Sequence, residues 1–161
     1  MLLLAATLCF AACKKDKNDP EQPQPEQQTQ PQQTETLAGN VARPSWSVPT
    51  KYDYSSSMTA VIKVDLKAQY ADLAADFVLN ANDMLAAFSG ETCLGIAKYE
   101  EGLFFLYIAS PVTGNPSSVT LRYYSANYKN LFEAKDAFTF ANDANLGTTA
   151  EPFKPAFVVA K

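Results

Sequence analysis

The side chains able to do chemistry in this sequence are few, and most of them are oxygen donors or aromatic rings. Trp46, Tyr52 and Tyr54 crowd into nine residues beside Lys51 and Asp53. Flat rings next to hydrogen-bonding groups can stack on a sugar face and bond its hydroxyls; the competing use of such rings is packing, with the polar tip left wet. Tyr124 and Tyr128 pose the same choice further along. Asp65, Asp72, Asp76 and Asp83, and separately Asn142, Asp143 and Asn145, offer ligands for a hard cation. Neither set has EF-hand spacing, and side chains of this type more simply satisfy turn backbone. Glu100 and Glu101 are adjacent carboxylates at an expected hairpin tip, a poor place to hold the geometry of glycoside hydrolysis. Cys93 sits between Thr92 and Leu94 with no basic neighbour to lower its pKa, so it reads as a small core hydrophobe. The chain has no histidine, which removes Ser-His-Asp and Cys-His catalysis and His-ligated metal sites. Three cysteines allow neither a disulfide framework nor a four-cysteine zinc site. The expectation is a protein that is not an enzyme and takes no metal and no cofactor. Its 13 basic and 17 acidic residues give a net charge of −4, which argues against nucleic acid as a partner.

The elements that must position these residues lie in the last two-thirds of the chain. Eighteen of the 19 aromatic residues fall between Trp46 and Phe157. From Ser57 to Leu66 the sequence alternates, with Met58, Ala60, Ile62, Val64 and Leu66 on one face, which predicts a half-buried strand. Met84 to Phe88, Thr92 to Tyr99, Leu103 to Ile108, Ser118 to Tyr124, Leu131-Phe132, Ala137 to Phe140 and Phe157 to Val159 read as further short strands. Val119, Leu121 and Tyr123 are the inward phase of their segment. Glu100-Glu101-Gly102 joins two strands as a hairpin in which Gly102 supplies positive φ. Leu66, Tyr70, Leu73 and Phe77 fall at helical spacing, so a short helix is expected near residues 67–77. The expected fold is therefore all-β: an antiparallel sandwich of about seven to nine short strands over residues 46–161.

The N-terminal third has a different character. Residues 1–12, MLLLAATLCFAA, contain an apolar run too short to cross a bilayer, with Ala11 and Ala12 directly before Cys13. Phe10-Ala11-Ala12-Cys13 resembles the lipobox of bacterial lipoproteins, with Phe10 in place of the usual leucine. The resemblance implies cleavage before Cys13 and a lipid on its thiol. No Lys or Arg precedes the apolar run, so the true start is expected a few residues upstream of Met1. Residues 13–45 are rich in Pro, Gln and Glu and carry no aromatic residue, so they are expected to form a disordered tether.

Within the domain, Asp83-Met84-Leu85-Ala86-Ala87-Phe88-Ser89-Gly90, then Cys93-Leu94-Gly95-Ile96-Ala97 and Leu103-Phe104-Phe105-Leu106, resembles an extracytoplasmic β module of the D-x-L-A-A-F-x-G type found in secreted and lipid-anchored Bacteroidota proteins. Val119-Thr120-Leu121-Arg122-Tyr123-Tyr124 and the stretch from Thr139-Phe140 to Gly147-Thr148 continue the pattern. The resemblance covers residues 58–153 and carries no catalytic motif. It implies an extracytoplasmic β module without assigned chemistry. Taken with the lipobox, the leading expectation is a lipid-anchored binding or adhesion module at the outer membrane, on either membrane face. The lipid on Cys13 would be the membrane contact, and glycan the first ligand class, at Trp46, Tyr52 and Tyr54. The alternative is a structural subunit that docks to an envelope protein through a strand edge.

Overall fold

The computed structural model describes residues 36–49, 52–111 and 114–161, and for 52–55 the backbone alone. The apolar segment, Cys13 and the tether up to residue 35 lie outside the described residues.

Two sheets form the domain. The first, of four strands, is ordered β4 (Lys98–Glu100), β5 (Leu103–Pro111), β1 (Tyr52–Ile62) and β8 (Asn145–Leu146). The second, of five, is ordered β3 (Thr92–Ile96), β2 (Met84–Ser89), β6 (Thr120–Ser125), β7 (Asn130–Ala134) and β9 (Phe157–Val159). The pairs are antiparallel except β1–β8, which is parallel. Between the sheets lie Met58, Ala60 and Ile62 of β1 and Phe104, Leu106 and Ile108 of β5. Leu85 and Ala87 of β2, Leu121 and Tyr123 of β6, Phe132 of β7 and Phe157 of β9 face them. Alternate residues of each strand share a face, so period-two patterning alone builds this core. Tyr123 sits at its centre, with Phe104, Phe132 and Phe157 at ring-centroid distances of 6.0, 5.9 and 5.7 Å.

Several elements differ from the sequence expectation. The alternating segment leaves the sheet at Ile62, although Val64 and Leu66 stay buried. Asp65 ends the extended run by capping a short helix: its carboxylate accepts the Ala68 N–H at 3.0 Å, and α1 (Leu66–Tyr70) follows, then a 3-10 turn over Ala71–Ala74. The expected strand Thr92 to Tyr99 is two strands. At Ala97 the chain passes from the five-stranded to the four-stranded sheet. The crossing needs glycine, because a Cβ on Gly95 would lie 2.0 Å from the Tyr107 carbonyl oxygen. Ala137 to Phe140 makes a single bridge, Val119 to Phe138, and no strand. The turn between β4 and β5 has positive φ at both Glu101 (49°) and Gly102 (83°), the signature of a type I′ hairpin.

The domain also starts earlier than residue 46. Leu37 is 2% exposed and belongs to the main core. The Gly39 and Val41 N–H groups donate to the carbonyls of Tyr128 and Lys129, each at 2.8 Å. Residues 36–45, expected as the end of the tether, are instead the first part of a strap that packs on the five-stranded sheet.

Candidate functional site

β2 is apolar on both faces. Leu85 and Ala87 point into the core, while Ala86 and Phe88 are buried on the opposite face with Cys93. The strap covers this outer face. The Arg43 Nε–H points at the Met84 sulfur at 3.3 Å, the Tyr124 hydroxyl donates to the Val41 carbonyl at 3.4 Å, and Trp46 and Val48 pack on the Phe88 cluster. Trp46 is half-buried, set edge-on to Phe88 with centroids 5.5 Å apart and planes at 73°.

Register brings a charge pair to the same rings. Arg122 pairs with Ala86 across β6 and β2, so its side chain rises on the outer face. Its guanidinium lies 4.4 Å from the Phe88 centroid, a cation–π contact. It also forks onto Glu91, donating from its two terminal nitrogens to the two carboxylate oxygens at 3.0 and 2.7 Å. The pair holds the Glu91 carboxyl below its ordinary pKa and the Arg122 guanidinium above its own. Glu133, the neighbour of Arg122 on β7, adds a second negative charge nearby. The patch thus joins a half-exposed indole, a stacked guanidinium with spare N–H groups and an exposed carboxylate with spare lone pairs.

Trp46, the first expected site residue, therefore belongs to the five-stranded sheet. Tyr52 and Tyr54 begin β1 of the other sheet, where Tyr52 is the backbone partner of Pro111; their side chains lie outside the described residues. Tyr124 is buried beneath the strap, and Tyr128 stacks on Phe77 with centroids 6.1 Å apart, so these two rings serve packing. Phe88, Glu91 and Arg122 were missed on sequence. Arg122 and Glu91 are 31 residues apart and meet only through strand register. The one available signal was the unbroken apolar run of β2, which demands cover on both faces.

Five of the seven oxygen-donor residues bond within the domain, and the other two, Asp72 and Asp76, are exposed. Asp65 caps α1, and Asp83 accepts from Tyr123, Asn80 and Ala126. Asn142 accepts the Ser57 N–H at 2.9 Å, and Asn145 accepts the Thr59 hydroxyl on the edge of β1. Among the described residues no three His, Cys, Asp or Glu side chains gather closely enough to hold a metal ion. Glu100 is exposed and paired with Lys98 at 3.0 Å.

Cys93 is 5% exposed, and burial pushes its thiol pKa up, which lowers the thiolate fraction at neutral pH. A thiol reagent should therefore label Cys93 at least about tenfold more slowly in native than in denatured protein. Equal rates would place Cys93 at an accessible surface and contradict the packing described. No protein-family model, curated protein or solved structure matches the chain.

Proposed function

We propose that this chain is a lipid-anchored envelope protein, tethered through Cys13 at the outer membrane, whose β-sandwich binds glycan non-catalytically on the outer face of its five-stranded sheet. The observation that carries the ligand surface is the Trp46–Phe88–Arg122–Glu91 cluster. A fixed indole gives a sugar ring an apolar face to lie on. The Arg122–Glu91 fork offers donors and acceptors side by side, as neighbouring hydroxyls require. Arg122 is balanced by Glu91 and shadowed by Glu133, so the patch does not favour acidic sugars; neutral saccharides fit it better. Anchoring rests on the resemblance of Phe10-Ala11-Ala12-Cys13 to a lipobox and on two acyl chains holding where one is marginal.

A panel of neutral and acidic polysaccharides tests the reading. Wild type should retain a neutral polymer in affinity electrophoresis. Trp46→Ala should lose that retention at a stability cost of about 1–2 kcal/mol, less than a fully buried aromatic would cost. Absence of wild-type binding to every polymer removes the glycan reading. Separately, Cys13→Ser should release the protein from the membrane fraction, and unchanged fractionation removes the anchoring.

A further inference from the structure

The outer edge of β9 is closed by side chains that imitate a neighbouring strand. In the ladder with β7, the Ala156 carbonyl accepts from Lys135 and the Ala160 N–H donates to Leu131, so Phe157 and Val159 turn their backbone groups away from the sheet. On that open side the carboxamide of Gln69 donates through Nε2 to the Pro155 carbonyl at 3.1 Å and accepts the Phe157 N–H at 2.5 Å through Oε1. One amide side chain thus makes the pair of bonds that a strand backbone would make. The Tyr70 hydroxyl adds a third, to the Phe157 carbonyl at 2.9 Å. Beside Val159 a shallow groove of about 810 Å³ runs along the edge, lined by Thr36, Tyr70, Val158, Val159, Ala160 and Lys161 among others.

We propose that the β9 edge is a latent strand-pairing surface for a second copy of this chain, and that Gln69 and Tyr70 hold it shut. A second copy is the fitting occupant because the segment suits itself. Ala156-Phe157-Val158-Val159-Ala160 is uncharged and β-prone, the composition from which identical segments pair edge to edge. Two β9 edges meeting antiparallel about a two-fold axis satisfy Phe157 and Val159 reciprocally and join two five-stranded sheets into one. Pro155 and the flanking Lys154 and Lys161 limit such pairing to the short window from Phe157 to Val159. The surface is separate from the Trp46 patch and does not depend on glycan binding.

The test is the oligomeric state of the full chain, measured by light scattering in mild detergent over about 1–100 µM, bracketing a dissociation constant of tens of micromolar. Wild type should be monomeric. Gln69→Ala, at an exposed helix position where alanine keeps the helix, should convert at least half of the chain to dimer at the upper concentration. Tyr70→Phe should do so to a smaller extent. Adding Val159→Pro to Gln69→Ala removes an outward N–H without touching the ladder to β7, and should restore the monomer. Gln69→Ala and Tyr70→Phe both remaining monomeric overturns the proposal. So does a dimer that persists with Val159→Pro, or a wild type already dimeric with Gln69 in place.

Discussion

A chain cut back to begin at Trp46 should be at least about 4 kcal/mol less stable than one beginning at Thr36. Leu37 is buried in the main core, and a core leucine lost without replacement costs about 2–5 kcal/mol. The cut also deletes the carbonyl of Leu37, to which the 7% exposed Asn130 donates at 3.0 Å, and leaves that amide without its acceptor. The two bonds from Gly39 and Val41 to the β6–β7 turn go as well, each worth about 1 kcal/mol net. Chemical denaturation of the two chains measures the difference, and Leu37→Ala in the longer one should reproduce about half of it. Limited proteolysis of the full chain should leave a fragment that keeps Leu37. Equal midpoints for the two chains would mean that the strap lies on the domain without stabilising it.

That strap marks where the sequence stopped being legible. Composition averages over a window, and one leucine among Thr, Glu, Ala and Gly does not lift a Pro/Gln-rich stretch out of the tether class. The sign that it docks is Gly39, where a Cβ would come within 2.7 Å of the Asn130 side chain. That closeness exists only after β7 is in place. Features set by local alternation were readable. The buried phase of β1, the inward set Val119, Leu121 and Tyr123, and the Glu100-to-Leu103 hairpin all follow from period two and turn chemistry. Features set by distant register were not. The crossing at Ala97, the strand-like amide of Gln69 on Phe157 and the Arg122–Glu91 fork each join parts of the chain that no window contains. The patch on the five-stranded sheet was therefore half visible. Trp46 was singled out by its type, while its partners Phe88, Arg122 and Glu91 came from pairing alone.

One buried carboxylate, that of Asp83, ties three parts of the fold together, and Asp83→Ala should cost about 3–5 kcal/mol. Its carboxyl is 5% exposed. One oxygen accepts the Tyr123 hydroxyl at 2.8 Å and the Asn80 N–H at 3.1 Å; the other accepts the Ala126 N–H at 2.9 Å. It thus ties the turn that leads into β2, the turn that leaves β6 and the ring at the centre of the core. Alanine takes the carboxylate acceptor from a fully buried hydroxyl, whose other polar neighbour is Ser125, and leaves two amides without theirs, and the small cavity offers poor room for water to replace three bonds. Burial and the neighbouring Asp83 already push the Tyr123 hydroxyl far above the ordinary phenol range, so it stays a donor that must be satisfied. Asp83→Asn keeps the shape but turns an amide N–H toward one of the donors, and should cost about 1–3 kcal/mol. Tyr123→Phe removes a donor together with its need and should cost less than Asp83→Ala. The double variant should lose about 1–2 kcal/mol less than the sum of the two single losses, because the hydroxyl that Asp83→Ala deprives of its carboxylate acceptor is then gone. Urea denaturation of the four proteins closes this cycle. Strict additivity, or an Asp83→Ala cost below about 1 kcal/mol, would show that the carboxyl is not the tie between these elements, and would leave the first residue of the Asp83-to-Gly90 motif without a structural reason.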